Sequence, residues 1–258
     1  MRTVFVTGST QGIGLEIARQ LAASGHRVIL HARNEQRAKE AATAFGDPAA
    51  VVVGDLASLE ETRRLAADAV AAAQGPLDAV IHNAGIGSSE HLTTGDGLDA
   101  IFQVNVVAPY LLTALMPPPG RLVYLTSGLS SRGQLVWDDL QWKRRRWDGS
   151  QAYSDSKLHD LLLTFAVARH WPETITNAVD PGWIKTRMGG RGAPGSLADG
   201  ADTPVWLAVG EEPDATVTGR YLKSRRPLTP NPLAVQPAQQ ERLLNVLAEL
   251  TSVSLPTT

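Results

Sequence analysis

The sequence contains no cysteine among its 258 residues. That excludes disulfides, thiolate metal sites and a cysteine nucleophile, and it suits a reducing cytosol. No apolar run approaches the roughly 20 residues that a bilayer-spanning helix needs. Neither sign of charge dominates: 24 Lys and Arg against 26 Asp and Glu leave a formal net charge of -2. Such a balance gives no electrostatic case for nucleic acid or an anionic membrane. Met1-Arg2-Thr3 runs straight into the strand-like Val4-Phe5-Val6, leaving no room for a signal peptide. The expectation is a soluble, cytoplasmic protein.

What is present reads as ordinary globular chain, 43% hydrophobic and 19% charged. At this length one large α/β domain can bury a sizeable core. Short β-rich runs alternate with helix-like ones. Strands are expected at 3–7, 27–31, 50–53, 77–82, 121–126 and 175–179. Helices are expected over 15–22, 35–45, 59–73 and 96–115 (one or two), and from Tyr153 to Trp171. Continuous apolar strands joined by helices imply parallel strands buried on both faces. The fold class is therefore α/β, a Rossmann-type doubly wound sheet in three αβα layers, with right-handed crossovers and one domain. Past Gly182 the pattern loosens into a Gly-rich loop, a short helix at 201–209 and a last strand at 218–222. We divide the chain into a main body, 1–225, and a C-terminal extension, 226–258. The extension carries one amphipathic helix with Leu243, Leu244, Val246, Leu247 and Leu250, read as core packing or as a docking surface.

Candidate chemistry gathers at the carboxyl ends of the strands. Gly8, Gly12 and Gly14, with Ser9, Thr10, Gln11 and Ile13 between them, separate the first strand from the first helix. Backbone approaches a pyrophosphate closely at such a turn, and the helix N-terminus favours its charge. The alternative is a tight structural turn. After the second strand, where an acid would bind a ribose 2′-hydroxyl, stand Arg33-Asn34. A guanidinium there suits a 2′-phosphate and favours NADP(H) over NAD(H), unless Arg33 is an ordinary surface arginine. Asp55-Leu56 and Asn83-Ala84-Gly85 follow the third and fourth strands; Asp55 alternatively caps a helix, although Ser58 is the better cap. Asn105 lies in an apolar helical stretch, as a structural hydrogen-bonder or part of a polar relay. Ser127 ends the fifth strand as a donor to a carbonyl oxygen or as a turn residue. Tyr153 and Lys157 stand four apart, on one helical face about 5–6 Å apart at Cβ. An ammonium there favours the phenolate, below the reference of about 10, and makes the phenol a general acid or base. Taken alone, the pair is equally a solvated face.

Six stretches in order resemble the short-chain dehydrogenase/reductase family: TGSTQGIG at 7–14, HNAG at 82–85, FQVN ending at Asn105, Ser127 after VYLT, YSDSK at 153–157 and PGW at 181–183. The retinol-dehydrogenase-like and short-chain alcohol dehydrogenase branch is the nearest likeness. The resemblance implies Tyr153 as proton donor or acceptor, Ser127 on the substrate oxygen, and Lys157 tuning the tyrosine and binding the nicotinamide ribose. It implies that Asn105 holds a water linking the lysine to solvent. Asp55 would contact the adenine, with Leu56 beside it. Asn83, Ala84 and Gly85 would line the cofactor. Pro181, Gly182, Ile184 and Thr186 would approach the nicotinamide, and Arg33 would read the 2′-phosphate. His82 stands where the family more often has asparagine. No metal is called for. A homodimer through the helices carrying Asn105 and Tyr153 is as open as a monomer.

Residues 132–150 are the least ordinary segment, with Trp137, Trp142, Trp147 and the run Lys143-Arg144-Arg145-Arg146. They resemble an insertion of retinol-dehydrogenase-like members. The segment reads as a flap walling an apolar pocket, or as a solvated loop pinned by its indoles. The activity implied is interconversion of a ketone or aldehyde with its alcohol, on an apolar or moderately bulky substrate. Two other readings are a non-catalytic dinucleotide-binding sensor or scaffold and a sugar-nucleotide epimerase or dehydratase. The first is expected to lose the Tyr/Lys pair; the second needs more chain after Pro181.

Overall fold

The computed structural model describes residues 1–46 and 48–257. Asp47 and Thr258, the last residue of the expected extension, lie outside them. The chain begins β1 (Thr3–Val6), α1 (Gly12–Ala23), β2 (Arg27–Ala32), α2 (Glu35–Phe45), β3 (Ala50–Val53), α3 (Leu59–Ala73) and β4 (Ala79–His82). It continues through α4 (Ala100–Phe102), a π turn at Gln103–Val107, α5 (Ala108–Leu115), β5 (Arg121–Leu125) and α6 (Gly149–His170). Last come β6 (Ile175–Val179), α7 (Leu197–Val209), β7 (Arg220–Lys223), β8 (Arg226–Pro227) and α8 (Pro237–Thr251).

The strands form one sheet in the order β3-β2-β1-β4-β5-β6-β7-β8. Side chains alternate across it because successive residues of a strand face opposite ways. From β1, Val4 and Val6 join Ile17, Leu21 and Leu207 in one core layer. Phe5 joins Leu65, Leu112, Leu161 and Leu162 in the other. The doubly wound arrangement is as expected. The strand order reverses between β1 and β4, and at such a switch point the loops diverge and leave a crevice for ligand.

Several boundaries depart from the sequence reading. The third strand was expected to be buried on both faces, but β3 is an edge strand with only Val52 fully buried. The sheet ends on β8, which pairs antiparallel with β7 and has no periodic signal in two residues. The helix expected from Asp96 starts at Ala100, because Asp99 caps it through Phe102 N (2.8 Å). Asp96 accepts from Leu59 N instead. Pro109 supplies no N–H to the carbonyl of Asn105, and the coil widens there into the π turn. α6 opens one turn before Tyr153, where Asp148 accepts from the backbone N–H of Ser150 and Gln151.

α8 packs its leucines into the core beside Leu158, Leu161 and Leu162 of α6. The tail beyond it is tied down as well. Tyr110 donates to the Val253 carbonyl and Trp171 Nε1 to that of Pro256, both at 2.7 Å. No helix among the described residues is long and apolar enough to cross a membrane.

Candidate active site

The turn between β1 and α1 is held by side chains from neighbouring strands. Thr7 Oγ1 accepts from the N–H of Asn83 and Ala84, both at 3.0 Å. Asn83 Nδ2 donates back to the carbonyls of Thr7 and Gly8. A Cβ at Gly14 would collide with that amide and with the Gly8 carbonyl, so this position admits no side chain. Gly8 also has a positive φ of 63° and packs on Ala84.

His31 completes the clasp. Its Nδ1 accepts from Gly8 N (2.9 Å), and its Nε2 donates to the Gly54 carbonyl (2.8 Å). Both nitrogens serve a neutral ring, and burial lowers its pKa further. Ser9 is turned inward. Its hydroxyl donates to Val6 O and accepts from His31 N. Thr7 and His31 escaped the sequence reading; a histidine in an otherwise apolar buried strand was the available signal.

A cavity of about 910 Å³ opens over this turn at the switch point. It is lined by Gly8, Thr10, Gln11, Gly12, Ile13 and Gly14 along the turn. Arg33, Asp55, Leu56, Asn83, Ala84, Gly85, Tyr153, Lys157, Pro181 and Thr186 also line it. Arg37, unremarked in the sequence, joins Arg33 there. Gly182 and Ile184 do not line it; Ile184 is buried against Gly195 and Gly200. Asp55 folds its carboxylate onto Ala57 N (2.9 Å), while Ser58 caps α3. The glycine turn, tightest at Gly14, and the N-terminus of α1 fit the pyrophosphate of a dinucleotide.

At the other end of the cavity, Tyr153 and Lys157 project from the same face of α6. Lys157 Nζ lies 5.7 Å from the centroid of the Tyr153 ring. Its hydrogen bonds go to the Leu125 carbonyl (2.9 Å) and Asp160 Oδ2 (2.8 Å). Asn105 is buried, with both amide N–H groups and the amide oxygen engaged. Oδ1 accepts from Ile86 N, and Nδ2 donates to Ile86 O and Ser156 Oγ. Its side chain thus fixes the loop after β4 that carries Gly85 and Ile86. Ser127 caps a 3₁₀ turn at Gly128–Arg132 by accepting from Leu129 N (3.2 Å). It is half-buried next to the cavity-lining Thr126.

The 132–150 insertion is anchored along its length. Asp139 gathers the N–H groups of Lys143, Arg144 and Arg145. Burial pushes that carboxyl up, but these donors outweigh it and hold it below the usual range. Arg145 lies 3.7 Å over the Trp142 ring and reaches Asp155 of α6 at 3.6 Å. Trp137 Nε1 donates to Gln239, and Trp147 Nε1 to the Ser89 carbonyl. No residue of the insertion lines the cavity. It meets the wall from behind, where Trp142 packs with Ile101 and Ala152, and Ile86 and Trp147 pack against that cluster.

The family profile described as short chain dehydrogenase matches residues 2–194. The chain belongs to the short-chain dehydrogenase family. It is an oxidoreductase of that family. It is 39% identical to short-chain dehydrogenase chry4 of Gibberella zeae, over 99% of each chain. It is 31% identical to human retinol dehydrogenase 13, over 99% of this chain and 86% of that one, in keeping with the retinol-dehydrogenase-like branch. A solved protein from Mycobacterium paratuberculosis superposes with TM-score 0.85 at 27% identity, over 99% of this chain and 95% of that one. A blue fluorescent protein from a metagenomic library, solved with NADPH, superposes with TM-score 0.69 at 27% identity, over 86% and 95%.

Proposed function

We propose that this short-chain dehydrogenase interconverts a ketone or aldehyde with its alcohol, using NADP(H). One observation carries the reading: the Tyr153/Lys157 pair lines the same cavity as the glycine turn and Arg33. The 2′-phosphate end is assigned to Arg33 and Arg37, two cations that follow β2 with no acid before Glu35. NADPH in the metagenomic relative supports that choice.

The bound nicotinamide supplies or accepts hydride. Tyr153 gives its phenolic proton to the substrate oxygen in reduction and takes it back in oxidation. Ser127, at the carboxyl end of β5, donates to that oxygen as charge builds on it. Lys157 keeps positive charge beside the phenol, so the phenolate left after proton transfer costs less. Asn105 acts by holding Ile86 and Gly85 against the cavity. The apolar side chains of Ile86, Val104 and Met188 in the cavity wall favour an apolar substrate. A panel of carbonyls and alcohols, followed by nicotinamide absorbance with NADPH and NADH separately, tests the reading. Turnover of none of them would sink it, and equal use of NADH would remove the role given to Arg33.

A further inference from the structure

Lys157 and Asp160 are 4–5% exposed in their side chains and 2.8 Å apart. Lys157 lines the cavity, whereas Asp160 does not. The carboxylate stands behind the ammonium, away from substrate and cofactor. Its other oxygen, Oδ1, has no protein partner among the described residues. Leaving a buried carboxylate half satisfied costs stability, which is a poor arrangement for packing alone. An ammonium this deep loses its proton readily, and buried lysines without a counter-charge reach pKa values of about 5–6.

Resting on the function proposed above, we propose that Asp160 is a positioning residue for proton transfer. It holds Lys157 as a fixed ammonium beside Tyr153, and so sets the pH range in which the phenol works. Burial pulls Lys157 down, but Asp160 and then Tyr153 more than restore it, leaving it raised; burial lifts Asp160 itself to about 6 against the pull of Lys157, so the carboxylate is charged at pH 7 and above.

The other groups facing the pair offer no substitute charge. On β5, burial pushes the Tyr124 phenol up; it shares a hydrogen bond with Thr113 and stacks on His82 of β4. Burial lowers His82, like His159 on α6, to about 3, so both are neutral. Asn105 approaches through Ser156 and is uncharged. Asp180 at the end of β6 pairs with Lys223, and Asp155 on α6 faces Arg145.

The test is Asp160→Asn, which keeps the shape and a hydrogen-bond acceptor but removes the charge. Phenolate absorbance is titrated in cofactor-free protein, with Tyr153→Phe marking which transition belongs to Tyr153. Burial pushes Tyr110 and Tyr221 up to about 12 and Tyr124 upward too, so these three stay clear of the comparison. Without the carboxylate Lys157 gives up its proton before the phenol does, so Tyr153 loses its neighbouring cation and its transition is expected to move to higher pH by about one unit in Asp160→Asn. The pH limb of kcat/KM for alcohol oxidation should move with it, lowering the rate at pH 7 about tenfold. An unmoved transition, or one displaced to lower pH, overturns the proposal. If Asp160→Asn lacks native circular dichroism, Asp160→Ser is read in its place. A parent enzyme inactive on every carbonyl and alcohol would sink the function proposed above, while the cofactor-free titration would still decide Asp160.

Discussion

The Lys157 ammonium approaches the Tyr153 ring to 5.7 Å from its centroid, yet bonds to Asp160 and the Leu125 carbonyl. The phenol therefore feels the lysine through space, and its oxygen is left for substrate. Removing that oxygen should remove proton transfer and little else. Tyr153→Phe is expected to lose about 10²- to 10⁴-fold in kcat while NADPH still quenches tryptophan fluorescence at a similar concentration. Parent-like turnover on the best substrate would refute the assignment.

Arg33 is exposed at the rim of the cavity. A charge-assisted contact to a 2′-phosphate is worth about 1.5–3 kcal/mol, or roughly tenfold and more in affinity. Arg33→Ala should raise the KM for NADPH by that factor and leave the KM for NADH nearly unchanged. Equal losses with both cofactors would mean that Arg33 does not read the phosphate.

His82 and His159 are buried, and desolvation lowers both to about 3. With folded values below the unfolded 6.5, the unfolded chain binds more protons between those limits. Their contribution is present above pH 6.5 and is lost as pH falls towards 3. Each would cost on the order of 1–3 kcal/mol by pH 4. Neither nitrogen of His159 has a protein partner among the described residues. His159→Leu should therefore flatten the acid side of a urea-midpoint-versus-pH curve and raise the midpoint at pH 7. A curve as steep as the parent's would count against this account.

Trp142 is 6% exposed and packs with Ile101, Ala152 and, at the cavity wall, Ile86. Trp142→Ala should cost about 3–5 kcal/mol through the space it leaves. We expect it to raise KM for apolar substrates more than KM for NADPH, because the relaxed wall lies near Tyr153. Unchanged substrate preference would reduce the insertion to an anchored loop.

Away from the sheet, α6 is covered by the chain's own α8, and α5 is packed by α3 and tied to the tail through Tyr110. That leaves little of them for a second copy, so light scattering should find a monomer. A dimer that persists at micromolar concentration would show that another face is used.

Much of this protein follows from local pattern. A period of two or of 3.6 residues decides which side chains share a face. The alternating elements, the glycine turn and the Tyr153/Lys157 face were therefore legible in sequence alone. So was the cap on α3, since Ser58 needs only its own helix. Contacts made between distant segments were not. Nothing local says that His31 and Thr7 bind the glycine turn, that Asn105 clasps Ile86, or that β3 lies at an edge. Asp160 lies between the two cases. Its spacing from Lys157 is helical and visible, but a carboxylate three residues from a lysine is usually a solvated pair of small worth. Only the packing of β5 and α8 around α6 removes the water and makes that carboxylate decisive.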